Sequence, residues 1–448
     1  MIVLWTDALI FLLVATLFIF SVLLRNKAHL QRPLQKIACS KTAMISLLVL
    51  VFFVLIGLLD SVHFKSNENS THEIISVLDY WAKPLRNNTE KTYSAPFSAY
   101  LYSKETLALP DGSQQWGFPR LKFGGSHLQN PDAELLSDVL EKALSGFCKG
   151  VGLVILWVVL LAWIFKGRDK NLFKNTTFKA VLAVFLLLFS ISYMLVDLSS
   201  YYHVLGTDKV GEDVFYQAIK SIRTGLVIGS LTTMIMLPLA ITFGIMAGFF
   251  RGWVDDIIQY IYTTLNSIPG VLLIAASILM VQVYMANHAE DFNSLIVRSD
   301  MRLLFLCLIL GVTSWTGLCR MLRAETLKLR EMEYVQAAQA LGVKRMVILS
   351  RHILPNVMHI VLISVVLDFS ALVLAEAVLS YINIGVDPTT YSWGNMINGA
   401  RLEMARDPVV WWSLLASFVF MFSLVLAANL FADSVRNAFD PRRTEEAG

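Results

Sequence analysis

Nine stretches of this chain are each long and apolar enough to cross a bilayer as a helix, and no other feature narrows its fold so far. A hydrocarbon core of ~30 Å takes about 20 mostly apolar residues, and its dryness admits only helices or closed barrels. The stretches run near Leu4 to Leu24, Ala43 to Leu59, Cys148 to Phe165, Ala180 to Leu198, Leu226 to Phe250, Ile257 to Tyr284, Leu303 to Cys319, Val357 to Ile382 and Val410 to Phe431. The 448 residues are 56% hydrophobic and 16% charged, against about 25% charged in an ordinary soluble domain. The expectation is an all-α polytopic membrane protein of about nine transmembrane helices. The first stretch has no basic residue before it and no small-residue cleavage site, so it is counted as a span rather than a signal peptide.

Several function classes fall away. A net charge of +3 with no basic, aromatic-interleaved stripe excludes nucleic acid. Cys39, Cys148, Cys307 and Cys319 lack metal spacing and read as small buried hydrophobes. No phosphate-cradling G-x-x-x-x-G-K-[ST], no G-x-S-x-G elbow and no H-E-x-x-H occurs. His72 and Glu73 begin the last of these, but Ser76 stands where the second histidine belongs. The sequence therefore assigns the chain no catalytic residue, no metal site and no bound cofactor, and it reads as no enzyme.

Short basic loops set the orientation. Arg25, Lys27, Arg32, Lys36 and Lys41 stand without an acid in 25–42, and Lys166, Arg168, Lys170, Lys174 and Lys179 face Asp169 alone in 166–179. Both loops are expected in the cytoplasm, which puts the N-terminus outside, the C-terminus inside, and Arg320 to Pro355 in the cytoplasm. The chain then divides into two helices over 1–59, an outer polar insert over 60–147, two further helices over 148–199, a core over 200–442 and a tail over 443–448. At the end of the insert, Leu136, Val139, Leu140, Ala143, Leu144 and Phe147 share one face of a helix over Glu134 to Phe147. That helix either packs on the insert or lies on the membrane.

The most specific segment is Glu333-Tyr334-Val335-Gln336-Ala337-Ala338-Gln339-Ala340-Leu341-Gly342, continued by Arg351-His352-Ile353-Leu354-Pro355-Asn356. Its alanines favour helix, Tyr334, Ala337, Ala338 and Leu341 share a face, and Gly342 accommodates the left-handed conformation that ends a helix. A small-residue helix of this kind suits insertion into a groove on a partner. An ordinary helix between spans is the alternative.

This segment resembles the EAA coupling loop of ABC-importer permeases, within about 320–356, and its Arg-His-Ile-Leu-Pro-Asn ending resembles the dipeptide, oligopeptide and nickel branch. Trp315, Arg320, Arg323, Leu327 and Arg330 resemble the preceding junction. His203, Gly206, Thr207 and Asp208, with Gly211 and Asp213, resemble the H-P-L-G-T-D-x-x-G-R-D segment of the second-type subunit. Gly252, Asp255, Glu376, Leu379, Ser380, Gly385, Trp393, Gly394, Asn429, Asp433, Arg436 and Asp440-Pro441-Arg442 extend the match over about 200–442. Gln336 and Glu212 depart from it, replacing the usual glutamate and arginine.

The resemblance implies a six-helix-type permease core in a bacterial inner membrane. It further implies a homologous permease partner, two ATPase subunits that hold ATP and Mg, and a periplasmic solute-binding protein. Peptides lead as solute; nickel and peptide antibiotics stay open, as does a non-transporting assembly role. Two of the four helices before His203 look like additions, and the insert either docks the binding protein or stabilises the assembly.

Asp368 and Glu376 are ionisable groups at membrane depth, which are costly unless they face a cavity or a partner. Eight positions set them ~80° apart on one helix, so one wet face can serve both. With Ser380 they are the candidates for a translocation path, a helix-to-helix hydrogen bond being the alternative for Glu376. His203 and Asp208 form either an ordered turn at the gate or a solute contact.

Overall fold

A computed structural model of the chain describes residues 4–24, 28–66, 73–108, 114–164, 176–288, 290 and 294–439. His72, the loop 166–174 and the tail from Asp440 fall outside them. The helices are α1 (Trp5–Leu24), α2 (Ala28–Cys39), α3 (Lys41–Asp60), α4 (Val77–Trp81), α5 (Lys83–Asn87), α6 (Pro131–Ile164), α7 (Thr176–Ser199), α8 (Val214–Phe250) and α9 (Trp253–Ser267). They continue as α10 (Gly270–Asn287), α11 (Leu295–Ser314), α12 (Thr316–Arg330), α13 (Glu333–Ala340), α14 (Arg345–Ile348), α15 (Leu354–Tyr381), α16 (Trp393–Glu403) and α17 (Trp412–Phe439). Two short antiparallel hairpins, β1 (His63–Ser66) with β2 (Glu73–Ser76) and β3 (Glu105–Ala108) with β4 (Gln114–Gly117), lie between α3 and α6.

The chain is a mostly α-helical polytopic membrane protein, its only strands among the described residues being these two hairpins. Among the described residues, seven helices are long and apolar enough to cross a bilayer: α3, α6, α7, α8, α10, the run Arg345–Tyr381 and α17. Two of the nine expected spans stand apart from these. The helix α1 is apolar along its 20 residues, of which Trp5–Thr16 is the stretch described with its side chains, and α11 carries Arg298, Asp300 and Arg302 in its first half. The sixth expected span, Ile257 to Tyr284, is two helices rather than one. Ile268 and Pro269 are extended, with ψ of 130° and 119°, because proline pushes its predecessor out of the helical region.

The chain divides into two compact units. One comprises residues 1–2, 39–224 and 391–424. Within it α3 and α6 pack on α7. Gly146 and Gly150 let α6 and α7 approach so closely that a Cβ on Gly150 would lie 2.8 Å from Ser190 Cα. The amphipathic stretch before Cys148 is not a separate helix but the first half of α6, whose 34 residues run unbroken for about 51 Å. Its Asp138 accepts hydrogen bonds from Tyr202 Oη at 2.6 Å and pairs with His127 at 2.8 Å, while Leu136, Leu140 and Leu144 are exposed on the other side. Cys39 and Cys148 are exposed, contrary to their reading as buried hydrophobes; Cys307 and Cys319 are buried.

The other unit comprises 3–38, 225–390 and 425–448. One core gathers Met236, Ala240 and Phe249 of α8 with Trp315 just before α12, Leu318 and Leu322 of α12, and Val335, Ile348, Ile353 and Val357 of the segments that follow. A second joins Val227 and Leu231 of α8 to Leu303, Leu306 and Leu310 of α11 and Leu372 and Leu379 of α15, with Leu9 and Ile10 of α1 against it. Asp300 accepts hydrogen bonds from the Thr6 hydroxyl and, at 3.3 Å, from its backbone N–H, which fixes α1 to α11. Gly244 and Gly248 carry the crossing of α8 over α12. A Cβ there would lie 2.8 Å from Leu322 Cβ and 2.6 Å from Thr326 Cβ respectively.

Candidate functional site

The segment Tyr334 to Pro355 follows α12, whose arginines are held by residues of α8 and α9. Arg323 donates to Asp255 from Nε at 2.6 Å and Nη2 at 2.7 Å, and this guanidinium keeps the Asp255 carboxyl below its ordinary range despite partial burial. Arg330 donates to the Phe249 carbonyl at 3.0 Å, and Arg320 lies 5.3 Å from the Tyr262 ring centroid. After α12 the chain turns at Met332, forms the eight-residue α13, and reverses at Gly342, where φ is +75°. No atom lies within 4 Å of where a Gly342 Cβ would be, so the backbone conformation alone favours glycine there. Pro355 stands at the start of α15, directly after the π-helical turn Leu349–Ile353 that joins α14 to it.

Tyr334, His352 and Asn356 come together. Asn356 Nδ2 donates to Tyr334 Oη at 3.1 Å and to the His352 carbonyl at 2.7 Å, and the Tyr334 and His352 rings are 6.0 Å apart. The expected face of α13 is only partly met. Ala338 is 8% exposed and Val335 fully buried, both in the core beneath the helix, whereas Tyr334, Ala337 and Leu341 face outward. Ala338 is about 40° from Tyr334 around the helix, and the waterline runs between them. Leu341 is 83% exposed and Met346 71% exposed, a pair of large apolar side chains at the tip. Gln336 and Arg351 are exposed as well, and Gln336 Nε2 donates to the Glu331 carbonyl at 3.2 Å.

Asp368 and Glu376 do not share an environment. Glu376 is 2% exposed and accepts the Ser380 hydroxyl at 2.7 Å; that hydroxyl in turn accepts the Val386 N–H at 3.4 Å. Glu376 and Ser380 therefore close the end of α15 by a bond within that helix, which is neither the helix-to-helix hydrogen bond nor a solute contact. Asp368 is half-buried on the same helix and is the member of the pair that keeps an open side.

The residues from His203 to Asp208 form an ordered turn. His203 lies between Asp213, Nδ1 to Oδ2 at 2.7 Å, and Glu90, Nε2 to Oε1 at 3.5 Å. Burial works against its charge, but the two carboxylates outweigh burial and raise it to about 9. Glu90 also accepts the N–H groups of Lys122, Phe123 and Gly124 at 2.9, 2.8 and 3.2 Å. Burial opposes its charge too; these bonds and His203 prevail and bring it to about 2. Thr207 Oγ1 donates to Thr92 O at 2.8 Å, and Thr207 O accepts the Trp412 indole N–H at 2.9 Å. Asp208 caps the next turn by accepting from Val210 and Glu212 N–H, each at 2.9 Å. Gly206 has φ +70° and is buried against Ser94. These bonds favour the ordered turn over a solute contact at His203 and Asp208.

Glu90 carries no sequence signal and was not a candidate; its partners lie more than 30 positions away. Gly244 and Gly248 do carry one, a small-x-x-x-small spacing. Among the described residues no group of three metal-ligating side chains occurs.

Residues 240–445 match the family model described as binding-protein-dependent transport system inner membrane component. Dipeptide transport system permease protein DppC of Lactococcus lactis is 30% identical over 54% of this chain and 65% of its own length. Glutathione transport system permease protein GsiD of Pectobacterium atrosepticum is 30% identical over 54% of this chain and 73% of its own. Oligopeptide transport system permease protein OppC of Mycobacterium tuberculosis is 30% identical over 61% and 92%. A solved chain of the MetNI methionine ABC transporter, in inward-facing conformations, is similar at 15% identity with a TM-score of 0.35, over 49% of this chain and 96% of that one.

Proposed function

Since this chain belongs to the family of binding-protein-dependent transport system inner membrane components, we propose that it is the permease subunit of an ATP-driven importer of peptides. The observation that carries this is the tip of the α12–α15 segment. Tyr334, Ala337, Leu341 and Met346 face outward over a core of Val335, Ala338, Ile348 and Ile353. A rigid, internally anchored knob of small and apolar side chains suits a groove on a partner. Its partners are two ATPase subunits, which bind ATP and Mg, together with a homologous permease. A solute-binding protein delivers the peptide. This chain binds no cofactor of its own.

Mechanically, closure of the ATPases moves the knob, and the movement passes to the membrane helices as a rigid element. Asp255–Arg323, Arg330–Phe249 and the tight Gly244 and Gly248 crossings leave α12 little freedom to absorb it. The knob faces the cytoplasm, the C-terminus lies on the same side, and the N-terminus and the 60–147 insert lie outside. Asp368 faces the solute path. Peptide is favoured as the solute by what the relatives are named for, dipeptides, oligopeptides and glutathione.

The test is uptake of labelled tri-alanine into proteoliposomes holding the assembled complex, with and without ATP. ATP-dependent accumulation supports the proposal. An assembled complex that hydrolyses ATP yet accumulates neither tri-alanine nor glutathione counts against peptide as its solute.

A further inference from the structure

Lys220, two turns into α8, sits between two carboxylates from earlier in the chain. Its Nζ is 2.6 Å from Asp79 Oδ1 on α4 and 3.4 Å from Asp60 Oδ1 at the end of α3. The three side chains are 14%, 7% and 4% exposed. Tyr216 Oη donates to the same Asp79 oxygen at 2.6 Å, and Ser76 Oγ donates to Asp60 at 2.6 Å while closing a capping box with Asp79 at the start of α4. A lone buried charge is expensive, and two carboxylates held by bonds of their own make a fixed socket for the ammonium. Lys220 lies in the stretch that resembles the family core, and both of its partners lie before it.

A second attachment stands beside this one. Glu90 donates its N–H to the Gly211 carbonyl at 2.9 Å, and its carboxylate reaches His203. Gly211 has φ +79° and lies against the Glu90 backbone with no room for a side chain. Farther along α8, Ala218 O accepts the Trp393 indole N–H at 3.1 Å and Thr224 Oγ1 donates to the Tyr391 carbonyl at 2.6 Å.

We propose that α3 and the 60–147 insert form a permanent clamp on the first turns of α8, with Lys220 as the positioning residue, rather than a lid that releases during transport. The insert then belongs to the permease itself: it fixes one end of α8 while the rest of the helix follows the coupling segment. The second half of the test rests on the importer reading above; the first does not.

The experiment is amide hydrogen exchange over 214–224, with α12 as internal control. In the purified chain, Lys220→Met and Asp79→Asn each speed exchange there about tenfold and leave α12 unchanged, while Lys220→Arg stays near wild type. Should Lys220→Met not be recovered folded, Asp79→Asn decides. Exchange unchanged in Asp79→Asn, or lost equally in Lys220→Arg, overturns the clamp. In the assembled complex, trapping with ADP and vanadate leaves exchange over 214–224 as it was. A tenfold rise on trapping means that the contact opens, and overturns permanence. Absence of any bound ATPase would count against the importer and leave the first result standing.

Discussion

Arg323 and Asp255 meet as a bidentate pair, Nε to Oδ1 at 2.6 Å and Nη2 to Oδ2 at 2.7 Å, which fastens α12 to the first turn of α9. Two parallel charge-assisted bonds need the planar fork of arginine. Arg323→Lys keeps the charge and loses the fork, and is expected to lower stability by about 1–2 kcal/mol. Thermal unfolding in detergent measures it. Because Asp255 is held below the ordinary carboxylate range, its contribution is present above that range and is lost as pH falls through its folded value.

His203 gives the opposite slope. Raised to about 9, it contributes fully below its ordinary 6.5 and loses that contribution as pH rises through 9. Glu90, brought to about 2, contributes above its ordinary 4.5 and loses its contribution only as pH falls towards 2. Unfolding temperature is therefore expected to fall between pH 7 and pH 9 in the wild type. In His203→Gln it is lower throughout and flat across that interval. His203→Ala leaves Glu90 and Asp213 buried without their shared partner and costs about 3–5 kcal/mol.

Glycine positions separate by what a Cβ would meet. Gly248→Ala pushes a methyl into Thr326 at 2.6 Å and is expected to cost about 1–3 kcal/mol. Gly317→Ala, in α12 with nothing within 4 Å, is expected to gain about 0.5–1 kcal/mol from helix propensity. The two unfolding temperatures move in opposite directions.

Gly342 is constrained by its φ of +75° and by nothing else. Gly342→Asn, which tolerates the left-handed region, retains ATPase binding, whereas Gly342→Val loses most of it at an intact expression level. Pull-down of the ATPase subunits reads the difference.

How far the sequence reached is clear residue by residue. The bilayer demands a length and an apolarity that any helix must show in its own residues, so most spans were legible. The helix break was legible too, since Pro269 sits inside the sixth stretch, but hydropathy alone runs straight through it. On α13 the pattern placed Ala338 with Tyr334, and only the core beneath the helix shows that the waterline passes between them. Alanine suits either side of that line, so no pattern could have decided. The pairing of Glu376 with Ser380 was visible as an i, i+4 spacing; that it closes the helix end depends on Val386, beyond the helix. Glu90 and Lys220 lay beyond reach, because their partners come from segments whose pairing no local periodicity encodes.

The most direct test of the central claim is recovery of ATPase subunits with the purified chain, comparing wild type with Ala337→Glu and Leu341→Glu. Both side chains face outward and leave the core beneath α13 intact, so the variants are expected to fold as wild type does. The coupling account predicts that wild type retains the ATPases and that both variants lose them. Retention of the ATPases by both folded variants, or failure of folded wild type to retain them, would contradict it.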